Sequence, residues 1–161
     1  MENENLIKPF SWSDYDDGKA SVTLYTSHNY KKEMFETRKS EGAVGSGYDW
    51  ESLARVFIQE KIPDVLPLFD FDPEHMMFCV YSTDTDALER FILLFKEACE
   101  DDNMIADIFS RAILPEPIKT EDLLNAFKMM GVDIENDELQ NAFSMMDELQ
   151  NTIKTIETNT E

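Results

Sequence analysis

Positive charge is scarce in this chain. Its 161 residues include 14 lysines and arginines against 34 aspartates and glutamates, a formal net charge of -20. That balance excludes a phosphate-tracking nucleic-acid binder, which needs cations to release counterions. It also excludes attraction to an anionic membrane surface. Cys79 and Cys99 are the two cysteines, so there is no disulfide framework, Cys-x-x-Cys pair or zinc spacing. His28 and His75 are the two histidines, each at an expected turn with no cluster of partners. Without a nucleophile, a base or a metal cage, neither an enzyme nor a cofactor is expected. Cys79 lies in an apolar run and reads as a small core hydrophobe, not a thiolate. No apolar stretch reaches membrane-spanning length; residues 91–95 fall far short. Residues 1–5 are acidic and carry no apolar signal region, so a reducing, cytoplasmic setting is expected.

Two motif look-alikes fail on inspection. Gly42-Ala43-Val44-Gly45-Ser46-Gly47 lacks the lysine and the spacing of a phosphate-binding loop, and Gly45-x-Gly47 is too short for a dinucleotide fingerprint. Asp133-Ile134-Glu135-Asn136-Asp137 lacks the glycine and the alternating oxygen ligands of a calcium loop.

What the chain does hold is a core. Apolar residues make up 42% of it and aromatics 11%. A domain of this size buries enough surface to fold without disulfide or metal. Its best-punctuated stretch begins Gly45-Ser46-Gly47-Tyr48-Asp49-Trp50. The glycines permit a tight approach, and Asp49 is expected as a helix N-cap. Leu53, Ala54, Phe57 and Ile58 recur on one helical face, and Pro63 stops the helix after Lys61.

Around that helix the pattern predicts two hairpins and several further helices. Residues 10–15 and 20–26 read as strands joined by Asp16-Asp17-Gly18-Lys19. Asn29 is expected to cap a helix over residues 30–40, whose Lys31, Lys32, Arg38 and Lys39 form a basic island ended by Gly42. That island reads as a solvated face or as an anchor for an acidic partner. Residues 65–69 read as a short strand, and residues 76–82 as the central one, with Phe78 and Val80 facing one way and Cys79 and Tyr81 the other. Thr83 or Asp84 caps a long helix over residues 85–100, striped by Leu88, Phe91, Ile92, Phe95, Ala98 and Cys99 and widened by Leu93 and Leu94. Asp101 or Asp102 caps another over residues 103–111, with Met104, Ile105, Ile108 and Phe109 inward.

Pro115-Glu116-Pro117 marks the expected domain boundary. Beyond it Leu123-x-Asn125-Ala126-Phe127-x-Met129-Met130 recurs sixteen residues later as Leu139-x-Asn141-Ala142-Phe143-x-Met145-Met146. The expected fold is therefore α+β. A small, mostly antiparallel sheet packs against helices in residues 1–114, and a Pro-bounded α-helical hairpin is appended in residues 115–161.

The order of these motifs resembles the immunity protein 51 family. The carriers are Gly45-x-Gly47-Tyr48-Asp49-Trp50 with its amphipathic helix, then Phe71-Asp72-Pro73-Glu74, then Met77-Phe78-Cys79-Val80-Tyr81-Ser82. The run from Phe95 through Asp102 fits the same pattern. The similarity spans about residues 8–114 and leaves the tail outside. It implies a small bacterial protein encoded beside a polymorphic toxin, which binds and silences that toxin without catalysis. It marks Gly45, Gly47, Tyr48, Asp49, Trp50, Phe57, Phe71, Phe78 and Tyr81 as motif residues, serving either the fold or the partner.

Charge adds a separate inference. An acidic face suits a basic cleft, such as the substrate site of a nuclease toxin, where carboxylates stand in for phosphates. The loop acids Asp14, Asp16, Asp17, Asp84 and Asp86 are the candidates for that contact. The alternative reading is an acidic structural or adaptor module that forms a homodimer, or binds another partner, through its C-terminal helices.

Overall fold

The turn signal at residues 16–19 closes a hairpin. In the computed structural model, which describes residues 4–116 together with Met129 and Asn141, β1 (Ser11–Asp14) runs antiparallel to β2 (Ala20–Tyr25). Gly18 turns the corner at φ 81°, a left-handed angle that a glycine takes without strain. β2 pairs antiparallel with β4 (Met77–Ser82), and β4 with the short β3 (Asp70–Phe71), in the order β1-β2-β4-β3. The two hairpins therefore join through β2 and β4, which are both internal.

Helices cover one side of this sheet. α2 (Gly47–Lys61) touches β4, and α3 (Thr85–Glu100) touches β2 and β4. α4 (Asp102–Ser110) packs on α2 and α3. Pleating sends Trp12, Val22, Leu24, Phe78 and Val80 towards them, and all five are buried. The expected stripe on α3 is buried along its whole length. α2 contributes Trp50, Leu53, Ala54, Phe57 and Ile58. Each large side chain among these contributes roughly 1.5–3 kcal/mol on burial.

Several expectations are corrected. Asp49 is not the N-cap of α2; Ser46 is, and Asp49 is the third helical residue of a capping box. The helix expected over residues 30–40 is broken. Asn29 and Lys31 adopt left-handed angles, φ 50° and 56°, which no continuous helix accommodates. α1 shrinks to Lys32–Glu36, and a 3-10 turn, Lys39–Glu41, follows before Gly42. Residues 65–69 are not a strand, because Pro63–Leu68 forms a 3-10 helix with Pro67 inside it. Proline's fixed φ suits that turn, and its missing amide would leave a gap in a ladder. Leu93 and Leu94 do not widen the buried stripe but lie exposed on α3. Met104 is exposed too, since Ile105, Ile108 and Phe109 define the inner face of α4 and position 104 falls about 100° away.

The chain divides into two units, Met1–Glu116 and Pro117–Glu161. The helical hairpin expected in the second lies outside the described residues. Among the described residues, no helix is long and apolar enough to cross a membrane.

Candidate partner-binding site

The motif around Trp50 is architecture for most of its length. Gly45 takes φ 76°, and Gly47 presses on the β3–β4 turn so closely that an added Cβ would lie 2.0 Å from the Met77 carbonyl oxygen. The Gly47 amide donates to the His75 carbonyl at 3.2 Å. Asp49 is buried, and its Oδ2 accepts from the Ser46 amide (2.9 Å), the Ser46 hydroxyl (3.0 Å) and the Val44 amide (3.0 Å). The Ser46 Oγ in turn accepts from the Asp49 amide at 3.2 Å. The Trp50 indole is 1% exposed and meets Phe35, Phe10 and Phe95 edge-on, at ring separations of 5.0, 5.8 and 6.2 Å. It serves the core. Phe57 and Phe78 are buried as well, and Phe71 lies partly buried under the Arg55 guanidinium. Tyr48 is exposed in the first turn of α2 and Tyr81 is half-buried on β4.

Three of the four cations of the basic island, Lys31, Lys32 and Arg38, have acidic partners, and Lys39 has none among the described residues. Lys31 pairs with Asp102 (2.7 Å), Lys32 with Glu36 (4.0 Å) and Lys96 with Glu100. Arg38 donates through Nη1 to the carbonyls of Phe109 (2.6 Å) and Ala112 (2.8 Å), and through Nε and Nη2 to Glu41. It thereby ties the residues just after α1 to the C-terminal end of α4 and the residues just beyond it, where the Phe109 carbonyl also accepts from the Ala112 amide at 3.0 Å. The Lys96 ammonium and the Tyr30 hydroxyl hold the Glu100 carboxyl below its ordinary range, while burial pushes the Tyr30 hydroxyl up. No local sequence signal ties Arg38 to residues more than seventy positions away.

The candidate acids fall into two groups at one end of the sheet. The pairing of Ala20 with Ser82 brings the hairpin tip beside the β4–α3 junction. Asp14 faces the helix side and accepts from the Trp12 indole at 2.8 Å. Asp17 accepts from the Lys19 amide (3.2 Å) and lies 3.7 Å from its ammonium. Asp84 caps α3 by accepting from the Ala87 amide at 2.9 Å. Asp16 and Asp86 are exposed, with no hydrogen-bond or ion-pair partner among the described residues. Asp16 and Asp86 therefore present unpaired charge to solvent, Asp86 from the first turn of α3.

A second surface went unread in the sequence. The register places Ser11, Ser13, Ser21, Thr23, Tyr25, Met77, Cys79 and Tyr81 on the side of the sheet away from the helices. Ser21 and Cys79 form its floor. Tyr15 leans over it from the hairpin tip, sharing a 3.1 Å hydrogen bond between its hydroxyl and that of Ser21, with its ring 6.0 Å from that of Tyr81. Beside them a surface pocket of about 400 Å³ is lined by Tyr15, Asp17, Lys19, Asp70, Asp72 and Tyr81.

Neither thiol is poised for chemistry. Burial raises Cys79 and pushes Cys99 up to about 12. Among the described residues, no group of three or more histidine, cysteine, aspartate or glutamate side chains is arranged to hold a metal.

Comparison with known proteins agrees with the motif reading. A family model described as Immunity protein 51 matches residues 10–114. No curated protein and no solved structure matches the chain.

Proposed function

Because the chain belongs to the immunity protein 51 family, we propose that it binds a cognate toxin domain and neutralises it without chemistry, by occluding a basic cleft. Family membership is the observation that carries this reading. The net charge of -20 supports the electrostatic half of it, since carboxylates can take the place of substrate phosphates. A nuclease is the toxin class with a cleft built for that substitution. The acids proposed for the contact are Asp14, Asp16, Asp17, Asp84 and Asp86, with Asp14 and Asp84 also holding local structure. The binder is residues 1–114, and the protein acts in the cytoplasm, where a toxin of this kind meets its target.

Co-expression tests the reading. Cells expressing the toxin domain encoded beside this chain's gene should stop growing, and the chain should restore growth in the same cells. Growth arrest that persists despite soluble, folded chain would overturn it.

A further inference from the structure

The helices bury one side of the sheet, and the opposite side carries an unusual set of residues. The hydrophobic core takes in Trp12, Val22, Leu24, Phe78 and Val80, while on the opposite side Ser21 and Cys79 are buried and Thr23 and Tyr81 are half-buried. Charged residues make up 30% of the chain, yet all eight outward positions of β1, β2 and β4 are uncharged. An ordinary solvated sheet face is polar, and its edge strands commonly carry charged side chains. Here the floor is small, and Tyr25 and Tyr15 stand above it at 54% and 45% exposure.

The charge is displaced to the edge. Asp17, Asp70 and Asp72 line the rim pocket, and Lys19, the cation among its lining residues, is already beside Asp17. An uncharged centre containing tyrosine and methionine, with aspartates along one edge, suits a protein–protein interface. Two tyrosine rings 6.0 Å apart with aspartates beside them also fit a cation, through ring faces and carboxylates together.

We infer that this face of the sheet, which the described helices leave uncovered, is the surface that docks the toxin, and that the pocket between Tyr15, Tyr81, Asp17, Asp70 and Asp72 receives an arginine or lysine side chain from it. The inference rests on the neutralisation reading and narrows its contact: of the five acids proposed there Asp17 lines this pocket, joined by Asp70 and Asp72, while Asp14 faces the helix side. Charge complementarity selects the occupant, a basic protein face whose cations meet the acidic rim while its centre meets the tyrosines.

The test is a binding titration of the full chain against the toxin domain encoded beside its gene. Tyr25→Lys places a charge in the uncharged centre, Tyr15→Ala removes one wall of the pocket, and Leu94→Lys alters an exposed position on the helix side. Tyr25→Lys should weaken binding at least tenfold and Tyr15→Ala at least fivefold, with Leu94→Lys unchanged. Oxidative footprinting of the unmutated chain supplies a readout that does not depend on variant folding. Toxin should protect Tyr15, Tyr25 and Met77 while leaving Met104 reactive. Unchanged affinity in the sheet-face variants, or protection confined to the helix side, overturns this surface and leaves toxin binding standing. Protection of Tyr15 and Tyr25 already in the free chain means another occupant and also overturns it. Absence of binding by the unmutated chain overturns both readings.

Discussion

Gly47 and Met77 share a space too small for one more carbon. The Gly47 Cα faces the Met77 and Glu74 carbonyl oxygens, and a Cβ would come within 2.0 and 2.2 Å of them. The close approach locks the start of α2 to the β3–β4 turn, and with it the position of Trp50.

Gly47→Ala should therefore destabilise the fold by about 3 kcal/mol, because the obstacle is main chain and cannot rotate aside. Gly18→Ala is the control. Nothing lies within 4 Å of its added Cβ, and only the left-handed angle opposes it, at about 1–2 kcal/mol. Urea unfolding midpoints of the two variants check the order. Equal losses would show that the Gly47 contact is not a constraint.

Arg38 should not be replaceable by lysine. Its Nη1 serves two carbonyls, of Phe109 and Ala112, while Nε and Nη2 hold Glu41. A single ammonium cannot match that fork. Arg38→Lys should lose about 2 kcal/mol, close to the loss in Arg38→Gln. Recovery of full stability by lysine would show that charge alone matters.

Acid should weaken the fold, and Arg111 should account for part of the effect. Hydrogen bonds from Arg111 hold the carboxyls of Glu60 and Asp107 below their ordinary values of 4.5 and 3.8. A carboxyl depressed in the folded state stabilises above its unfolded value and ceases to do so as pH falls through the folded one. The contribution is thus complete above about pH 5 and fades below pH 4.5. In Arg111→Gln the melting temperature should fall less steeply between pH 5 and pH 3 than in the unmutated chain. Parallel curves would contradict the pairing. All three side chains are substantially exposed, so the difference should shrink in high salt.

Association with the toxin should be electrostatically steered. Raising ionic strength from about 0.05 to 0.5 M should slow association at least tenfold and change dissociation little. A rate that moves less than twofold would remove phosphate mimicry from the account and leave occlusion in place.

The parts of this fold legible in the sequence are those set by local chemistry. Asp84 before a 3.6-period stripe located α3 at both ends, and Asp-Gly at residues 17 and 18 located the first hairpin. Ser46 and Asp49 stand at capping-box spacing, so that signal was present and was assigned to the wrong residue. The misses have distant causes. Lys31 adopts its left-handed angle where its ammonium reaches Asp102, and Arg38 is held by Phe109 and Ala112, all contacts that no window of neighbouring residues contains. The alternation of β4 separated Phe78 and Val80 from Cys79 and Tyr81. It could not say which set the helices would cover, because α2 and α3 lie on either side of β4 in the chain. The charge-free sheet face became visible only once the register was known.

The most direct test of toxin neutralisation is a calorimetric titration of the purified chain into the purified toxin domain encoded beside its gene, with the toxin's activity assayed at each point. The account predicts one-to-one binding in the nanomolar range or tighter, and activity that falls to zero at equivalence. Toxin activity that stays undiminished with the chain in tenfold excess would contradict it.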